Sequence, residues 1–76
     1  MRKTAYRQLM DNTKVLLYEA KVRNDLTDEA LAKKMGLSSR TIRERRSNPD
    51  LFTLDKLLIL SELAGKEIRF VDKEEM

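Results

Sequence analysis

The chain has 76 residues, a net charge of +3, no cysteine and no histidine. No disulfide can staple it, no thiolate can hold zinc, and the commonest metal ligand and usual proton shuttle are missing, so histidine-based catalysis is excluded. A chain this short buries only about 60% of the surface its unfolded form exposes, which leaves it marginal unless it associates with itself.

In chain order, helical spacing appears first. Thr13, Leu16, Leu17 and Ala20 share one helix face, and Tyr6, Leu9 and Met10 extend the stripe toward the N-terminus. This predicts a helix from about residue 4, kinked or restarted near Asp11, where Asp11 and Asn12 have capping chemistry. Asn24-Asp25 ends it. Thr27 is the predicted cap of a second helix with Asp28 and Glu29 in its first turn, where the helix dipole favours negative charge. Leu31, Ala32 and Met35 form the buried stripe of that helix, Gly36 stops it in the left-handed conformation, and Leu37 fills the corner. Ser38 caps a third helix that runs to about Arg46, and Asn48-Pro49-Asp50 breaks the chain. A fourth helix follows the Thr53 cap, carries Leu54, Leu57, Leu58, Leu60 and Leu63, and closes at Gly65. Residues 66–72 alternate around Ile68 and Phe70, predicting a short strand that pairs either with the N-terminal segment or with a second copy. The whole reads as one mainly α domain over residues 1–76, with four to five helices and a C-terminal strand.

The charge is unevenly placed. Residues 1–10 carry +3 from Arg2, Lys3 and Arg7, residues 11–37 balance, residues 38–46 carry +3, and residues 47–76 sum to −3. Two basic islands on a neutral-to-acidic chain point to a polyanionic partner. No apolar run approaches the roughly 20 residues of a membrane helix. Met1-Arg-Lys-Thr is basic but no apolar stretch follows, so no secretory signal is expected, and the absence of cysteine fits a cytoplasmic protein.

The segment 27–46 combines helix, glycine turn and helix, the pattern of a helix-turn-helix. With Ile42 inward at 100° per residue, Arg40, Arg43, Glu44 and Ser47 point outward and Ser39 lies at the exposed first turn. An arginine-bearing helix about 10–12 Å across fits the major groove of DNA, where arginine pairs with guanine. Ser39, Arg40, Arg43 and Glu44 are therefore the candidate base readers. Ser38, Arg45, Arg46, Asn48, Arg2 and Lys3 are candidate phosphate contacts, which give affinity rather than sequence choice. The bland alternative is a solvated arginine face with Glu44 as its partner, and the simple cap is an alternative role for Ser38 and Ser39.

Residues 26–42, through Leu26, Thr27, Leu31, Ala32, Gly36, Leu37, Ser38 and Ile42, resemble the helix-turn-helix of the phage repressor/Cro-like family, also called the lambda-repressor-like or XRE family. Pro49 and the leucine-rich helix after Thr53 follow the family's order, so the resemblance covers about residues 13–65. It implies a compact helical domain that regulates transcription, of phage or prophage type, binding operator DNA as a homodimer through its third helix. Two departures stand out. The family usually opens its second helix with a phosphate-binding glutamine, where this chain has Asp28, whose carboxylate a phosphate would repel. It also usually has an apolar residue and then an acidic one where this chain has Arg45 and Arg46. The C-terminal strand resembles those Cro-like members that dimerise through strands; because a lone edge strand invites pairing, Ile68 and Phe70 are the expected dimer seam, with the monomer core as their alternative place.

Enzymatic chemistry finds no support. Asp28-Glu29 and Glu74-Glu75 are adjacent pairs whose side chains diverge, and there is no glycine-rich phosphate loop or nucleophile–base pair. No enzyme activity, cofactor, metal, membrane or small-molecule ligand is expected. The alternative function is a protein-interaction module, antitoxin-like or anti-repressor-like, that reuses the helix-turn-helix shape.

Overall fold

The computed structural model describes the backbone of residues 2–73 and the side chains of residues 4–73. Four α-helices, α1 (Arg2–Asn24), α2 (Asp28–Met35), α3 (Ser39–Ser47) and α4 (Leu54–Leu63), are interrupted by one 3₁₀ turn, Pro49–Leu51. No helix is long and apolar enough to cross a membrane among the described residues.

The first helix does not kink or restart at Asp11. No proline or glycine interrupts residues 2–24, Asp11 and Asn12 leave their side chains in solvent, and the Thr13 hydroxyl donates back to the Leu9 carbonyl at 2.8 Å, an i−4 bond that a continuous helix accommodates. The stripe Thr13, Leu17 and Ala20 is buried against α4.

Three helices end by the same device. Asp25, Gly36 and Gly65 adopt positive φ (53°, 71° and 71°), and in each case the next residue's N–H reaches five residues back. These bonds run from Leu26 to Lys21, from Leu37 to Ala32 and from Lys66 to Ser61, each at 2.8 Å. The final turn thus satisfies its orphan carbonyls and redirects the chain sharply. At Gly65 the positive φ favours glycine, and a β-carbon there would also have to displace the Arg23 guanidinium, 2.7 Å away at the end of a flexible side chain.

The core gathers Leu17, Ala20, Leu31, Ala32, Met35, Ile42, Phe52, Leu60 and Ala64. Leu54 and Leu58, expected inside, are exposed (67% and 46%). Leu57, Leu60 and Ala64 set the phase of α4 on α1, and Leu54 and Leu58 fall to the side of that line. Phe52, which the sequence reading passed over, is buried at the end of the 3₁₀ turn. Thr53 occupies the N-cap position of α4, but its hydroxyl donates to the Asp55 carboxylate rather than accepting from a backbone N–H, and holds that acid below the usual range.

The expected strand at residues 66–72 is not formed, and no strand occurs among the described residues. Its supposed partner, the N-terminal segment, is committed to α1, and a lone strand has nothing to satisfy its backbone. The segment runs irregularly past α1, where Lys66 Nζ lies 3.1 Å from Glu19, while Phe70 is 99% exposed.

A β-carbon at Gly36 would meet only ordinary van der Waals contact, 3.6 Å from Lys56 Nζ, so the whole cost of Gly36→Ala is backbone strain. The variant should lose about 1–2 kcal/mol, read as a lower urea midpoint with an unchanged slope.

Candidate nucleic-acid interface

The third helix stands on the second because the turn between them is pinned, at Gly36 by the bond from the Leu37 N–H to the Ala32 carbonyl, 2.8 Å, and at Ser38 by its cap. Thr27 Oγ1 accepts from the Ala30 N–H and Ser38 Oγ accepts from the Thr41 N–H, each at 3.1 Å, so each helix begins with a satisfied cap. Buried Ala32 and Ile42, with half-buried Leu37 at the corner, close the crossing between α2 and α3. Ile42 being fully enclosed fixes the rotation of α3.

That rotation turns Arg40, Arg43 and Glu44 outward into solvent and leaves Ser39 half-buried at the first turn. Arg40 and Arg43 make no ion pair among the described residues, and Glu44 is within ion-pair distance of neither. Ser38 is fully occupied as a cap: its lone pair takes the Thr41 N–H and its own proton goes to Thr41 Oγ1 at 2.9 Å. Asn48 closes α3 through its backbone N–H, 3.0 Å from the Glu44 carbonyl, with its side-chain amide at 3.3 Å from the same oxygen.

Arg45 and Arg46 differ from the expected free phosphate contacts. Arg45 is half-buried, and its Nε is enclosed without a hydrogen-bond partner. Its stem thus occupies a position that needs burial, and only the tip of the guanidinium reaches outward. Arg46 is held by Asp28, whose Oδ1 also accepts from Lys21 Nζ at 2.7 Å. Asp28 is therefore more than a dipole stabiliser: one carboxylate oxygen joins α1, α2 and α3. The Asp28 side chain is 20% exposed, and hydrogen bonds from Lys21 and then Arg46 hold its carboxyl below the usual range, outweighing desolvation. The two departures at positions 28 and 46 are thus one interaction, an acid and a base that answer each other. Co-occurrence of an unexpected acid with an unexpected base was the signal in the sequence; Lys21, seven residues before Asp28, carried no such mark. Ile68 is exposed at the edge of α1 and Phe70 stands free of it, so the two do not meet as strand neighbours. The side chains of Arg2 and Lys3 lie outside the described residues.

The face that results is a short helix bearing two unpaired guanidinium groups, an acid and a half-buried hydroxyl, backed by an ion-paired cluster of one acid and two bases. It holds no group of three or more metal-ligating side chains among the described residues. Compared with known protein families, curated proteins and solved structures, the chain matches none.

A depressed folded-state pKa means that Asp28 stabilises above its unfolded value, about 3.9, and that this contribution disappears as pH falls through the lower folded value. Asp28→Asn should cost about 1 kcal/mol at neutral pH. Thermal melts should show the wild-type advantage constant at neutral pH, declining once pH falls to about 4 and gone only below the lower folded value.

Proposed function

We propose that the chain is a sequence-specific DNA-binding transcriptional regulator of the phage repressor/Cro-like type, acting as a homodimer on operator DNA. The observation that carries the reading is the pair Arg40 and Arg43, neighbours on one exposed face of α3, unpaired, and held away from the core by buried Ile42. Guanidinium groups presented in this way match guanine edges in a major groove, with Ser39 and Glu44 beside them as further base contacts. In a homodimer the two α3 helices enter successive major grooves about 34 Å apart. Occlusion of a promoter is the simplest regulatory consequence.

One observation favours a different class. Asp28 engages Arg46 together with Lys21, and Arg45 is partly enclosed, so fewer guanidinium groups of α3 are free than its composition suggests. A protein-interaction module reusing the same scaffold is the second reading.

Salt separates the two. Binding to non-specific duplex should weaken steeply on a log–log plot of affinity against salt, because phosphate neutralisation releases counterions; a flat line selects the protein-interaction module. On a site selected from random duplexes, Arg43→Ala should lose about 1–3 kcal/mol and blunt base choice at one position. Arg46→Ala should cost less affinity than Arg43→Ala, because its guanidinium is already committed to Asp28. Equal loss for Arg43→Ala on selected and random DNA would make that residue a phosphate contact.

A further inference from the structure

The cationic face of α3 leaves a second surface feature unused. A compact chain of 8.9 kDa exposes about 4,800 Å², whereas this one exposes 6,225 Å². Its radius of gyration is 13.2 Å, against about 11 Å for a compact chain of this length. The excess, roughly 1,400 Å², exceeds the roughly 800 Å² that each subunit gives to an ordinary stable interface.

Part of this excess lies along α1, and part along residues 65–73, which are exposed throughout. At 23 residues α1 is about 34 Å long, and the molecule measures 45 × 22 × 19 Å. The helix therefore overshoots its own core. Residues 4–12 are exposed apart from half-buried Met10. Yet this overhang keeps the apolar spacing of the buried part: Tyr6 and Leu9 continue the Thr13–Leu16–Ala20 line and stand 56% and 59% exposed. A helix face built for burial continues past the point where the chain can bury it.

Beside the overhang lies an open groove. Leu9, Val15 and Leu16 of α1 and Leu57 of α4 make an apolar floor, and Ile68 forms part of its wall. Its rim carries Glu19, Lys66, Glu67 and Arg69, two acids and two bases. That balance suits neither a polyanion nor a strongly charged peptide.

We propose that the groove and overhang seat a second copy of the chain, packed about a twofold axis so that each protomer's Tyr6 and Leu9 are covered by the other. Protruding apolar side chains and an apolar hollow of compatible chemistry occur on one chain, which is the condition for a self-complementary, isologous contact. The exposed area is sufficient for it, and the mixed rim charges can pair with their own kind. This deepens the homodimer part of the proposed function and rests on that part alone; it replaces a paired-strand seam with a helical one in which Ile68 lines the edge.

The test is sedimentation equilibrium of the full chain without DNA, from about 1 to 300 µM, the range in which a modest interface titrates. A monomer–dimer equilibrium is expected. Leu9→Glu should raise its dissociation constant at least tenfold, while Leu51→Glu, equally apolar and exposed but outside the groove lining, should leave it unchanged. Far-UV circular dichroism checks that both variants stay helical. A monomer throughout the range, or Leu9→Glu dimerising like wild type, overturns the proposal. A monomer that still binds duplex with a steep salt slope removes this surface but leaves the DNA reading; a Leu9-dependent dimer indifferent to duplex does the reverse.

Discussion

The exposure of α3 depends on the chain reversing direction between Met35 and Ser38 without spending residues on a loop. Gly36 in the left-handed region makes this possible, because the Leu37 N–H then returns to the Ala32 carbonyl and the next helix can cap itself at Ser38 immediately. The tight reversal brings small Ala32 and branched Ile42 into the same crossing, and the enclosure of Ile42 dictates which side of α3 faces out. Local backbone conformation, core packing and the presentation of Arg40 and Arg43 are thus successive results of one φ angle. A looser connection would let α3 roll, and the arginines would no longer share a defined direction.

Much of this was legible in the sequence because it rests on local chemistry. Thr27 and Ser38 act three residues along the chain, the Gly36 turn closes over five, and the spacing of Leu31, Ala32 and Met35 along α2 needs no knowledge of a partner helix. The readings that failed are those in which a distant segment decides. Residues 66–72 alternate like a strand, but a strand needs a neighbour, and the only intramolecular one is absorbed into α1. Leu54 and Leu58 belong to a run of leucines whose phase on α4 is fixed by contact with α1, which no local pattern reveals. Thr53 has a capping side chain, yet Asp55 two residues later competes for its hydroxyl. Phe52 is buried by its place at the end of a 3₁₀ turn rather than by any periodicity.

The candidate site divides along the same line. The outward direction of Arg40, Arg43 and Glu44 follows from counting around a helix from Ile42. The commitment of Arg46 does not, because its partner, Asp28, lies on the preceding helix, 18 residues away in sequence. Charge totals therefore overstate the cationic character of α3. An arginine engaged by a carboxylate contributes little to a long-range potential, however strongly it contributes to holding two helices together. The electrostatic identity of the face is set by which guanidinium groups remain unpaired rather than by how many there are.

Asn24 closes the account of α1 in another way. Its side-chain amide donates to the Ala20 carbonyl at 2.8 Å and, 39 residues away, to the Leu63 carbonyl at 2.7 Å. One amide group thus terminates two helices together, and neither end can fray without depriving the other of its donor. Local opening at the close of α1 and at the close of α4 becomes a single cooperative event. Amide protons in these two turns, far apart in the chain, would share one opening free energy and exchange with solvent as a unit.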